Sequence, residues 1–371
     1  MKKYKSMIVI LLIAMLCAGC KKKADKQIEE PIVEETVEPE EVTPEPEVEE
    51  EEPVVEEENH DGMVLSKLTG DWVPEEVGNR RPYAVMLNNH EIASPQSGTS
   101  EASILYEAIV EGGITRLMGI FENFSTDRIG SVRSARHYFV SFADEYDAIF
   151  VHYGHTKYAL AKIDELGVNN LSGLSGIGTT VFYRDKSIKA PHNAFASYEG
   201  IQKGTEKLKY RTEYKEDFEN HFTFYKEDTD LTSDIVANKV TLKFSKYTNP
   251  YFVYDKEKKV YGRYQFGGKH IDYNTNEQLT FKNIIVQYVK EWNIDKNGYQ
   301  TMDLGNASGD GYYITNGKAV KITWKKNESS SKMHYYDEEG NILTINPGKT
   351  YIAIFPTDRQ SDVVLSDKTS E

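Results

Sequence analysis

Three stretches of this chain are apolar at consecutive positions rather than at every second one: "RPYAVMLNN" at residues 81–89, "ITRLMGIFE" at 114–122 and "DAIFVHYG" at 147–154. A strand that is apolar on both sides has to lie inside a sheet covered on both faces. What separates these runs reads as helix. In "GTSEASILYEAIVEGG", Ile104, Leu105, Ala108 and Ile109 recur on one helical stripe, Thr99 or Ser100 stands where a cap is wanted, and Gly112 stands at the stop. In "DRIGSVRSARHYFV" and the residues after it, Ala135, Phe139, Phe142 and Tyr146 keep helical spacing, and "TKYALAKIDELG" gives one more helix ended by Gly167. Buried strands alternating with helices predict a βαβαβ unit.

After about residue 235 the period drops to two. Short runs rich in Val, Ile, Thr and Tyr follow one another, among them "KVTLKFS", "YFVYD", "VYGRYQF", "FKNIIVQYV", "KAVKITWK" and "TYIAIFP", with "NG" turns at Asn297 and Asn316. The expected class is therefore α/β: a layered N-terminal half (61–235) with a βαβαβ-type, mostly parallel sheet, and a C-terminal half (236–371) that is mainly antiparallel β. The polar residues 198–235 should carry a linking helix.

The first 60 residues belong to neither half. "MKKYKSMIVILLIAMLCAGC" has a basic start at Lys2, Lys3 and Lys5, then an apolar core too short to span a bilayer comfortably. It ends in small residues before Cys20, as a bacterial lipobox does, with Cys17 standing where Leu is typical. Residues 1–20 are thus expected to be a lipoprotein signal peptide, with Cys20 the diacylated N-terminus of the mature chain. That leaves no thiol for a disulfide, a metal site or a nucleophile. Residues 21–60 hold sixteen Glu between Ile28 and Glu58, five of the chain's twelve Pro and no aromatic residue, a composition that predicts a disordered, extended tether. The formal charge of −15 sits mostly there, since residues 61–371 carry only −5. The folded part is nearly balanced and has no basic stripe, so nucleic acid is not an expected partner. The membrane is, through the lipid, with the protein on the extracytoplasmic face.

"RPYAVMLNN", "PQSG", "YEAIVEGGITRLMGIFE" and "IGSVRSARHYF" followed by "YDAIFVHYG" resemble the signature of the YerB-like lipoprotein family of Gram-positive bacteria, from about residue 75 to 360. The resemblance implies an extracytoplasmic lipoprotein whose N-terminal and C-terminal segments form an α/β layered fold. It brings no catalytic residues with it.

If the strands are parallel, their carboxyl ends share the edge where open α/β sheets bind ligands. That edge collects Asn88, Asn89 and His90 after the first strand, Arg133, Arg136 and His137 at the first turn of the second helix, and His152 and His155 after the third strand. Cations are disfavoured at a helix N-terminus, so the arginines need a reason to be there. One reason is a bound anion, which helix N–H groups and forked guanidinium groups both favour. The other is local pairing with Asp127, Glu122 or Asp144. Arg116, inside a strand, is expected to pair with Glu107 or Glu111. His137, His152, His155 and His192 carry only a weak metal signal, without HExxH or a thiol, and no metal is expected. "NPGKT" has Leu343 where a phosphate loop needs its first glycine, and "SGIG" is too short for a dinucleotide fingerprint, so no cofactor is expected. The many tyrosines of the second half fit strand propensity or, in an exported protein, stacking on sugar rings. "GKHIDYN" (268–274) is the polar stretch there that could reach the first half. The function expected is a membrane-anchored lipoprotein that binds an anionic ligand or a protein partner in the cell envelope. The alternative is an envelope enzyme acting on phosphate-bearing cell-wall precursors or polymers.

Overall fold

The computed structural model describes residues 59–327 and 332–368. The signal peptide, Cys20 and nearly all of the tether lie outside the described residues. Strands from either side of residue 235 share one large sheet. In chain order these are β1 (Tyr83–Asn89), β2 (Ile104–Ile109), β3 (Thr115–Phe121), β4 (Ile149–His152), β5 (Asn170–Ser172), β6 (Ile235–Val236), β7 (Asn283–Val289), β8 (Ala307–Thr315), β9 (Lys318–Lys326), β10 (His334–Tyr336) and β11 (Thr350–Pro356). Across the sheet they run β6-β9-β8-β7-β11-β2-β3-β1-β4-β5, with β10 also on β9.

The consecutive apolar residues do what their pattern demands. In β1, Ala84 and Met86 enter one core, and Tyr83, Val85 and Leu87 enter the other. The first core lies under α1 (His137–Asp144) and α2 (Lys157–Leu166), where the Tyr106 and Phe142 rings stack at 4.9 Å. The second lies under α3 (Tyr198–Lys207) and a smaller antiparallel sheet that includes Lys239–Leu242, Tyr251–Asp255, Val260–Gln265 and Val363–Ser366. Phe139 and Phe142 of α1 are buried on the first face as their spacing predicts, and Ala135 and Tyr146 are buried there too although they lie outside the helix. The Asn316–Gly317 turn, with both φ positive, joins β8 to β9, and this is the geometry that "NG" favours. The result is a mixed α/β fold rich in strands, with one large mixed sheet and further antiparallel sheets.

Two expectations need correction. The segment from Thr99 to Gly112 is not a helix: residues 104–109 form β2, buried at all six positions. The stripe of Ile104, Leu105, Ala108 and Ile109 fits a helix, but it equally fits a strand with cores on both sides. The βαβαβ topology fails for the same reason. With no helix between them, β2 and β3 are joined by the tight turn Glu111–Gly113, and Val110 N–H donates to Ile114 O, so the two strands are antiparallel. Strand β3 is antiparallel to β1 as well, whereas β4 is parallel to β1 and β5 to β4. On the other side, β11 comes from the far end of the chain and lies parallel to both β2 and β7.

Candidate functional site

Strands β1 and β4 pair only from Tyr83/Ile149 to Val85/Val151 and then part. An extended segment fills the gap. Arg133 N–H donates to Met86 O and Asn88 N–H to Ser131 O (both 2.9 Å), while Ala135 N–H donates to Gly154 O and Tyr153 N–H to Arg133 O at 2.9 and 3.0 Å. This wedge corrects the local reading. Arg133 is not in a helix, Arg136 is the N-cap residue of α1, and His137 is its first residue, so the three do not share a helix face. The backbone of 131–135 is needed to satisfy two diverging strand ends and cannot begin the helix earlier.

The wedge nonetheless brings the basic groups to one edge. Because β3 runs antiparallel to β1, its start and not its end lies there, and Arg116 faces Asn88 across the ladder. The Arg116 Nη1 donates to Ser134 O at 2.6 Å, and Arg136 donates to Ser134 O at 3.2 Å and Ala135 O at 2.9 Å. Arg133 Nη1 donates to Pro191 O at 3.2 Å, and its buried Nε has no partner. The Asn88 amide bridges Ser131 Oγ at 3.2 Å and His192 Nδ1 at 2.8 Å, with the His90 ring 5.4 Å from that of His192.

One carboxylate serves this cluster. Glu111 receives Arg136 in forked fashion, with Nε 2.7 and 3.0 Å from its two oxygens and Nη2 closing the fork. Burial would raise the Glu111 carboxyl, but Arg136 and then Arg116 outweigh it and hold it below its usual value. Glu107 does not serve Arg116 at all. It is held by Arg263 of the smaller sheet at 2.7 Å, in a network that also takes in Tyr351, Thr115 and Asn89. The expected pairings of Arg116 with Glu107 or Glu111, and of the other arginines with Asp127, Glu122 or Asp144, are replaced by this one Glu111–Arg136 pair. Arg136 and Arg116 thus act on this one carboxylate, and Arg133 stands beside Arg136 without reaching it. The cost shows in their acidity: burial first, then Arg136 and Arg133, bring Arg116 down to about 9, and burial and Arg136 lower Arg133.

The histidines divide. His152 is buried, its Nδ1 donating to Gly154 O at 2.8 Å and its Nε2 3.2 Å from the Asn170 side chain, and burial lowers its pKa. His137 meets Thr301 Oγ1 at 2.7 Å, and burial, Lys162 and Arg136 bring it to about 4. Both are neutral at pH 7 and occupied within the fold. His155 is half-buried, 5.9 Å ring to ring from His152, and its buried Nδ1 has no partner. His192 is lowered by burial, Arg133 and His90. Asn89 is wholly taken up by Glu107, Thr115 and Gln265. Of the predicted residues, Arg133 and His155 therefore keep a polar nitrogen without a partner, while Asn88, Asn89, Arg136, His137 and His152 are taken up within the fold. Sequence reasoning read Arg116 only as an ion-pair partner inside a strand and did not place His192 beside Asn88; the antiparallel start of β3 and the 190–193 turn bring them to the edge. Among the described residues no three His, Cys, Asp or Glu side chains gather as a metal site requires.

The "GKHIDYN" stretch does reach the first half. Asp272 accepts from the backbone N–H of Gly98 at 3.0 Å and Ser100 at 2.7 Å, and Nε2 of His270 lies 2.6 Å from Gln96 Oε1.

The chain is similar to known proteins along most of this fold. Residues 68–211 match the N-terminal domain described as "Protein of unknown function (DUF3048)", and residues 240–352 match the C-terminal domain of the same family. YerB of Bacillus subtilis (strain 168), whose name marks it as a lipoprotein candidate, is 33% identical over 294 residues, covering 79% of this chain and 86% of that one. The crystal structure of the B. subtilis YerB protein superimposes with a TM-score of 0.72 at 30% identity, over 82% of this chain and all of the other.

Proposed function

The chain belongs to the DUF3048 family together with YerB, and from that premise we propose that it is a lipoprotein anchored through Cys20 on the outer side of the cytoplasmic membrane, where it binds an anionic ligand of the cell envelope. The relative's name supports the lipoprotein reading, and the lipobox-like end of the leader supplies the cysteine. No helix among the described residues is long and apolar enough to cross a membrane.

One observation carries the ligand class. Of Arg116, Arg133 and Arg136, which raise one another's electrostatic cost, only Arg136 is paired with a carboxylate, and the Arg133 Nε is buried without a partner. A buried donor left unsatisfied costs roughly 1–3 kcal/mol, and three converging guanidinium groups raise each other's cost. A phosphate or carboxylate at Arg133, flanked by Asn88, His155 and His192, would relieve both. Arg136 and His137 then fix the wall of the site and His152 its floor.

Titration calorimetry with inorganic phosphate and with sulfate tests this. Arg133→Gln, which leaves the Glu111–Arg136 pair in place, should weaken phosphate binding about 10- to 100-fold, as expected for losing a charge-assisted bond. If wild-type protein binds neither anion, or a folded Arg133→Gln protein binds phosphate as well as wild type, the assignment is wrong.

A further inference from the structure

A cleft of about 340 Å³ opens next to the arginine edge, lined among others by His90, Glu91, Gly112, Ile114, Tyr247 and Phe266. Two of its residues tie it to the edge. The His90 ring stands 5.4 Å from His192 and accepts from Ile92 N–H through Nδ1, which leaves Nε2 as its second polar atom. Gly112, also in the lining, directly follows Glu111, the carboxylate gripped by Arg136.

The lining is mixed in a particular way. Tyr247 is 54% exposed, yet it is held by a tight turn in which its N–H and that of Thr248 both donate to Ser245 Oγ, at 3.0 and 3.2 Å. Its ring lies beside Gly113, where a Cβ would come 3.7 Å from Tyr247 Cδ2. Phe266 and Ile114 add half-buried apolar surface, and Glu91 adds an exposed carboxylate that can accept hydroxyl hydrogens. Lys246 Nζ stands 4.9 Å from the centre of the Tyr247 ring, a side chain long enough to move aside for a ligand stacking there. Gly112 has positive φ and open space where a side chain would stand. An aromatic face, hydroxyl acceptors and a volume at the small end for a ligand pocket suit a saccharide ring, not a lipid tail or a peptide.

We propose that this cleft seats the sugar of a phosphorylated saccharide whose phosphate is held at Arg133 and His192, with His90 between the two. The proposal rests on the anion reading above and deepens it: the ring stacks on Tyr247, Glu91 takes hydroxyl hydrogens, and the phosphate turns the corner at His90.

The test compares three probes on the full-length protein in detergent: inorganic phosphate, α-D-glucose 1-phosphate and glucose. Glucose 1-phosphate is expected to bind about tenfold more tightly than phosphate, the gain a sugar–aromatic contact gives, with glucose alone the weakest. In Tyr247→Ala, and in Gly112→Asn, which tolerates the left-handed backbone and fills the cleft, that ratio should fall to about one. If wild-type protein binds phosphate but glucose 1-phosphate no better, the cleft proposal is wrong while the anion site stands. A ratio that survives both substitutions also overturns it, as does glucose binding as tightly as its phosphate. Failure of both phosphate compounds to bind overturns the anion reading itself.

Discussion

Glu107→Gln should be among the most destabilising conservative changes in the molecule. Glu107 and Arg263 are both fully buried, 2.7 Å apart, one in β2 of the large sheet and the other in the smaller sheet that covers it. The carboxylate also receives Tyr351 Oη and Thr115 Oγ1, each at 2.6 Å, and Asn89 Nδ2 at 3.0 Å, so all of its lone pairs face donors. The substituted amide would fit the space but turn an NH2 toward a donor, leaving the Arg263 guanidinium with only the neutral His270 and Gln265 as partners. Breaking a buried pair by removing one partner costs about 3–5 kcal/mol. Replacing both partners removes the stranded charge, so Glu107→Gln with Arg263→Met should recover much of the loss. The assay is urea unfolding at pH 7.5 followed by tryptophan fluorescence, with the midpoint falling at unchanged slope. A cost below about 1 kcal/mol, or a double variant no more stable than Glu107→Gln, would refute the view that this pair ties the two sheets together.

Acid should weaken the fold through His270. Burial and Arg263 hold its pKa well below the ordinary value of 6.5, and its Nδ1 must accept from Arg263, which only the neutral ring can do. Because the unfolded chain takes up the proton first, the stability this residue contributes is complete above pH 6.5 and is lost as pH falls below it. Denaturation curves of wild type and His270→Gln should therefore differ by a constant above pH 6.5 and shift in favour of the variant below it; parallel profiles down to about pH 5 would contradict this. Gly311→Ala in β8 should cost about 1–3 kcal/mol or more in thermal unfolding, since the added Cβ would run into Val286 O on the neighbouring strand, where no side chain can yield. Gly167→Ala, at the left-handed end of α2 with nothing near its Cβ, should lose only the conformational preference, roughly 1 kcal/mol, and a larger loss in the same assay would point to a contact not accounted for.

How far the sequence speaks can be judged from β2. Its six residues, "ILYEAI", satisfy helical and strand patterns alike, and Glu107 tips the reading toward a solvated helix face. What makes a buried Glu tolerable is Arg263, 156 residues away, and no local pattern announces such a partner. The runs in β1, β3 and β4 are legible because being apolar on both faces excludes every edge position. Their directions are not, because a central strand is buried alike whether its neighbours run parallel or antiparallel. The insertion of β11 between β2 and β7 is illegible for a related reason: "TYIAIFP" declares a buried strand, but not which one it joins.

The arginine edge follows the same logic with a different outcome. The composition of the edge is readable, since β1 and β4 do run parallel and do deliver Asn88 and His152 to one side. Which charges neutralise which is not, because Glu111 lies in a turn between two strands, where helical spacing suggests the end of a helix. Moving that one carboxylate to the edge removes the need for Asp127, Glu122 or Asp144 as partners of Arg136, and it leaves Arg133 and Arg116 without a carboxylate within 4 Å among the described residues. A cluster whose acids were spent on structure in equal number would argue for a tied-down loop. This one holds two guanidinium groups more than it can pair, placed where two strands part, and that excess is what favours the proposed anion over a loop tied down by its own salt bridges.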